Sequence, residues 1–153
     1  MSLRDVIESK YKNAIKAKKQ DEINTLRLVK SAIKDKDILA RSGGDKNNIE
    51  DPSILSLLQA LIKQRKDSIE SFKIAARNDL IEIEQNEIEI ISQFLPKQKS
   101  EEETLAIIEN IIVEKKLTSI KDMGMLMNDL KSNFAGIIDM ALAGKIAKSK
   151  LSN

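Results

Sequence analysis

Glu84 and Glu87 stand three residues apart in a chain with no histidine and no cysteine. At that spacing two carboxylates share one face of a helix. With Asp79, Glu82 and Glu89 nearby, they are the raw material for acid–base work or for holding a metal ion. The rest of the usual apparatus is missing. Without histidine there is no general base poised near neutral pH, no Ser-His pair and no Glu-x-x-His di-metal motif. Without cysteine there is no disulfide, thiolate ligand or thiol nucleophile. Gly43-Gly44 precedes no Lys-Ser pair, so no phosphate loop is visible. Glu84 and Glu87 are therefore expected to form structural ion pairs with Arg65 or Arg77 of the preceding segment. No catalytic residue, cofactor or metal is expected.

The chemistry that remains is anion binding. Lys12, Lys16 and Lys19 recur at spacings of four and three, with Arg4 and Lys10 close by. A helix places such residues on one side, as a positive ridge for phosphates or as a solvated face. Lys30, Lys34 and Lys36 follow, diluted by Asp35 and Asp37. Lys145, Lys148 and Lys150 complement the C-terminus of a last helix. A formal net charge of +2 exerts no global pull on nucleic acid, so any contact must come from a local patch. Only 3% of residues are aromatic, too few for stacking single-stranded bases. An RNA ligand would be read as a folded shape through its backbone.

The elements that position these side chains are helical. Of the 153 residues, 41% are hydrophobic and 33% charged, and the isoleucines recur at helical rather than alternating spacing. The expected class is all-α. A first helix spans 2–19, with Ser2 as N-cap. A second starts at Asp21 and fades into a polar, mobile loop, Arg41 to Asp51. Asp51-Pro52 starts a third as N-cap and N1, which breaks near Arg77, with Asn78 or Asp79 capping a fourth. Leu95-Pro96 ends that helix, and a domain boundary is placed there, giving an N-terminal helical domain (1–96) and a C-terminal three-helix domain (97–153). Ser100 and Glu103 form a capping box for the fifth helix. Thr118 or Ser119 caps a sixth, Gly136 turns the chain, and Asp139 caps a seventh. Met123 and Met127 fill core or line a partner groove. Gly124 either permits close helix approach or exposes backbone. No signal-like or membrane-length apolar run is seen, and a cytoplasmic protein is expected.

Several separated stretches together resemble a known family. They are QRKDSIESFKIAARNDL (Gln64 to Leu80), Glu84, Glu87, Ile88 and the Phe94–Pro96 tripeptide. Leu26-Arg27, KDMGMLM (Lys121 to Met127) and the Asp139 turn follow the same pattern. The chain resembles the YqeY-like proteins, which are similar to the tail of the B subunit of the tRNA-dependent amidotransferase. The resemblance implies a non-catalytic tRNA-binding or tRNA-enzyme accessory module. Its partners would be tRNA, an aminoacyl-tRNA synthetase or an amidotransferase subunit. The alternatives it implies are a protein-interaction adaptor docking such an enzyme, or a component of glutamine-dependent carbon–nitrogen ligase activity. It also sets Lys121 and the neighbouring amides at a helix start, where they would meet a phosphate, while Asp122 serves equally as a helix-dipole partner. Arg27, Arg65, Arg77, Glu84 and Glu87 fall on motif positions and are assigned to domain structure. Ala143, Gly144 and Ala147 depart from the bulkier pattern of the family's last helix.

Overall fold

Ser2 Oγ accepts the Asp5 amide while the Asp5 carboxylate accepts the Ser2 amide, a reciprocal cap that opens α1, Leu3–Lys16. The computed structural model describes residues 2–44 and 47–152, and among these all regular structure is helical. α1 stops earlier than the sequence suggests. Lys18 takes a left-handed conformation (φ 56°) and its amide bonds Ile15 O, closing the helix tightly. So short a turn brings α2, Gln20–Ser42, in without a side-chain cap. Asp21 lies inside α2, where its carboxylate receives Asn86 Nδ2 at 3.4 Å. Of the expected loop from Arg41 to Asp51, the first two residues are helical; Asp45 and Lys46 lie outside the described residues.

α3, Asp51–Ile74, begins from Glu50 as N-cap, one residue before the expected position. Asp51 is thereby the first helical residue, and both its carboxylate oxygens accept the Leu3 amide of α1 at 3.2 Å. One carboxylate thus lies at two positive helix ends. Ala76 (φ 53°) turns the chain into α4, Asn78–Ser92, whose N-cap is Arg77 rather than Asn78 or Asp79. The Asp79 carboxylate is taken by the Arg77 guanidinium (3.2 and 3.0 Å). Ile7, Leu26, Val29, Ile54, Leu58, Ile91 and Phe94 form the buried centre of these four helices.

Two ion pairs are set into this interior. Asp37 keeps only 5% of its surface exposed, and Arg4 grips it through Nη1–Oδ2 (2.9 Å) and Nη2–Oδ1 (3.0 Å). The Ile49 amide donates to Asp37 Oδ1 (2.9 Å), and Arg4 Nη2 donates back to Ile49 O (3.1 Å). The guanidinium, helped by that amide, holds the Asp37 carboxyl below its ordinary pKa despite burial. In the second pair, Arg65 Nε meets Glu87 Oε2 at 2.7 Å, with side chains 13% and 22% exposed. Arg65 Nη1 also donates to Leu61 O at 3.0 Å.

The chain divides into compact units Met1–Leu95 and Pro96–Asn153. In the second, Ser100 and Glu103 form the expected capping box for α5, Glu101–Lys115. Ser119 caps a single 3-10 turn, Ile120–Asp122, and α6 runs from Met123 to Asn133. Gly136 turns the chain at φ 80°. Asp139 Oδ1 then accepts the Ala141 and Leu142 amides and caps α7, Met140–Leu151. Ile108, Leu126, Leu130, Ile138, Ala143 and Ala147 form the centre of this unit. The two alanines are fully buried, so the small residues of α7 serve packing.

Removing Arg65 would leave Glu87 half-buried beside Glu84. Arg65→Ala should cost about 2–3 kcal/mol in urea unfolding, as for a broken buried pair; a loss below about 1 would mark the pair as a surface contact. Asp37 should leave a signature in acid. Because its folded carboxyl binds a proton less tightly than the unfolded one, its contribution is complete above the unfolded value of about 3.9. It is lost as pH falls through the lower folded value. Asp37→Asn should lower stability at pH 7 by at least about 2 kcal/mol and flatten the acid limb of the profile.

Candidate nucleic-acid interface

α1 carries Lys12 and Lys16 on its exposed side, and Lys19 stands exposed at the N-cap of α2. None of the three side chains makes an ion pair or hydrogen bond among the described residues. Arg4 does not belong with them, because its guanidinium is held by the buried Asp37. Asp37 in turn does not dilute the lysines of α2, being spent on Arg4. Lys30 is partly neutralised: its Nζ lies 2.8 Å from Glu8 Oε2 and 4.2 Å from the centre of the Tyr11 ring. Arg27, expected to serve domain structure, is exposed and makes no ion pair among the described residues.

The second proposed phosphate site is built differently. The Asp122 carboxylate accepts the Thr118 and Ser119 amides at 2.8 and 3.2 Å, and Ser119 Oγ accepts the Lys121 amide at 3.3 Å. Those amides lower the Asp122 pKa. The Thr118, Ser119 and Lys121 amides that would meet a phosphate are thus already satisfied by Asp122 and Ser119, leaving the exposed Lys121 ammonium. A Cβ built on Gly124 would meet nothing within 4 Å, so this glycine marks open backbone rather than close helix approach. Gly144 is the one that faces α6, through Met127 Cε at 3.9 Å. Lys150 pairs with Glu109 of α5 at 2.9 Å.

Two of the carboxylates of α4 are held in ion pairs. Arg65 chooses Glu87, and Arg77 pairs with Asp79 at the exposed end of the α3–α4 hairpin rather than with either glutamate. Glu84 makes no ion pair among the described residues. Burial first, and then the charge of Glu87, push its pKa upward, with Arg65 opposing them. No nucleophile or proton relay stands beside it. Among the described residues no group of three or more acidic, histidine or cysteine side chains is placed to hold a metal. An open cleft of about 540 Å³ lies between the start of α2 and α4, lined by Gln20, Asp21, Glu22, Asn86, Glu89 and Gln93 among others. It is polar and holds no reactive pair. No described helix is long and apolar enough to cross a membrane.

Sequence comparisons place relatives along much of this chain. A protein of Lachancea thermotolerans named "Altered inheritance of mitochondria protein 41, mitochondrial" is 37% identical over 112 residues, covering 72% of this chain and 58% of that protein. A protein of the same name from Clavispora lusitaniae is 32% identical over 124 residues, covering 81% of this chain and 62% of its own. An uncharacterized protein of Schizosaccharomyces pombe is 33% identical over 99 residues, 65% of this chain and 76% of its own. The chain therefore spans about three-fifths of the two mitochondrial relatives. The profile of the Yqey-like proteins matches residues 4–151, from the arginine that grips Asp37 to the last core leucine of α7, and the chain belongs to the YqeY-like family.

Proposed function

We infer that this chain is a non-catalytic tRNA-binding or tRNA-enzyme accessory module, related in role to the tail of the amidotransferase B subunit. One observation carries the reading: Lys12 and Lys16 of α1 and Lys19 at the start of α2 are exposed and have no carboxylate partner among the described residues, whereas Arg4 and Arg65 of the same unit are paired. Cations kept in water suit a phosphate backbone, where each contact releases counterions. Paired carboxylates with no reactive neighbour suit a scaffold. The cytoplasm is the proposed site of action; the Lachancea and Clavispora relatives carry "mitochondrial" in their names.

A second reading, docking onto an aminoacyl-tRNA synthetase or amidotransferase subunit, is favoured by a separate observation. Ile74 is 90% exposed, Val113 lies largely in solvent, and Ile83, Ile120 and Met125 are about half exposed. A pull-down that survives nuclease and high salt would support it over RNA binding.

Titration with unfractionated tRNA at two salt concentrations tests the first reading. Submicromolar binding that weakens with salt is expected, and no binding at tens of micromolar would reject it. Lys12→Glu with Lys16→Glu should cost roughly tenfold in affinity and make the salt dependence shallower. Lys121→Glu, at a turn whose amides are already satisfied, should change affinity by less than about twofold.

A further inference from the structure

The ties between α1 and α2 fix what else shares the lysine face. Arg4 meets Asp37 and Glu8 meets Lys30, so the two helices run antiparallel and the side of each that faces the other is known. Tyr11 lies under Lys30 on the same side. From this centre the helical repeat places the neighbours. Lys12 is one turn beyond Glu8 on α1, and Lys16 is one turn beyond Lys12. On α2, Arg27 precedes Lys30 by three residues and Lys34 follows it by four, rises of about 4.5 and 6 Å. Lys12, Lys16, Arg27 and Lys34 are all exposed. None of them makes an ion pair among the described residues.

Four free cations therefore surround one neutralised pair, across two helices rather than along one. Asp37 is withdrawn into the interior by Arg4, and Asp5 is occupied in the α1 cap. Glu8, and the exposed Asp35 next to Lys34, are the carboxylates left beside them. The apolar side chains beside these cations, Ile15 and Ile38, are about half exposed, too little apolar surface to seat the face in a bilayer.

We propose that the outer face of the α1–α2 hairpin, with Arg27 and Lys34 joining Lys12 and Lys16 around the Glu8–Lys30 bridge, is the surface that holds the phosphate backbone of a folded RNA stem. This rests on the tRNA reading and adds to it a two-helix contact in which Glu8 acts as a brake. A face two helices wide meets phosphates of both strands across a groove, the way a helical RNA is recognised by shape. Removing the Glu8 charge frees Lys30 to join the others.

The test is a tRNA titration of the full chain and three variants, with thermal melts to confirm folding. Arg27→Glu with Lys34→Glu should weaken binding at least tenfold and make the salt slope shallower by about 1 to 2. Glu8→Gln should tighten binding about two- to fivefold, a gain that misfolding cannot imitate. Arg27→Gln with Lys34→Gln should fall between. Wild-type affinity in both the Arg27–Lys34 and the Glu8 variants, with the parent chain binding tRNA, overturns this face and leaves the tRNA reading standing. A parent chain that binds no tRNA overturns both; if it then binds vesicles of anionic lipid, the face is a membrane surface instead.

Discussion

A carboxylate buried without a cation would drive itself neutral or unfold its surroundings, and Asp37 is the point where this chain meets that constraint. Arg4 supplies the charge, the Ile49 amide supplies a further donor, and Arg4 closes the circuit on Ile49 O. Three parts of the chain are joined: the first turn of α1, the last third of α2 and the segment leading into α3. Asp51 extends the junction by accepting the Leu3 amide. α1 has 14 residues, marginal for a helix left alone in water, and its position is set as much by this junction as by Ile7 and Ala14.

From that constraint follows a division of charge. Arginines Arg4 and Arg65 are used at the edge of the core, where their planar, multidentate heads satisfy both a carboxylate and a carbonyl. Asp37 and Glu87 are consumed there. Outside, the lysines of α1 and the cations flanking Lys30 remain without such partners. The basic surface thus arises in part because Asp37 is held by Arg4, leaving Glu8 and Asp35 as the acids beside it, and a net charge of +2 conceals it.

Much of the fold was legible in short-range chemistry. Ser2, the Ser100–Glu103 box, Gly136 and Asp139 act as local signals say they should. Charges set in the apolar stripe at Arg65 and Glu87 meet each other at the edge of the core. Asp37 carries the same signal, four residues after Ile33 in the row Leu26, Val29, Ile33, yet its partner lies 33 residues away and neighbouring lysines suggested a surface role. Helix starts were missed where lysine or alanine, not glycine, adopts the left-handed turn: Lys18 and Ala76 set the starts of α2 and α4 with no side-chain cap. At the Lys121 turn the motif suggested open amides, but Asp122, one residue on, closes them. Pairing across helices, rather than residue type, decides which charges are free, and it becomes visible only when the helices are packed.

The most direct test of this division is lysine reactivity toward an amine-modifying reagent, with and without saturating tRNA. Protection concentrated on Lys12, Lys16 and Lys34, with Lys121, Lys145 and Lys148 unchanged, is the result expected if the α1–α2 face holds the RNA. Protection centred on Lys145 and Lys148, or spread evenly over all lysines, would contradict it.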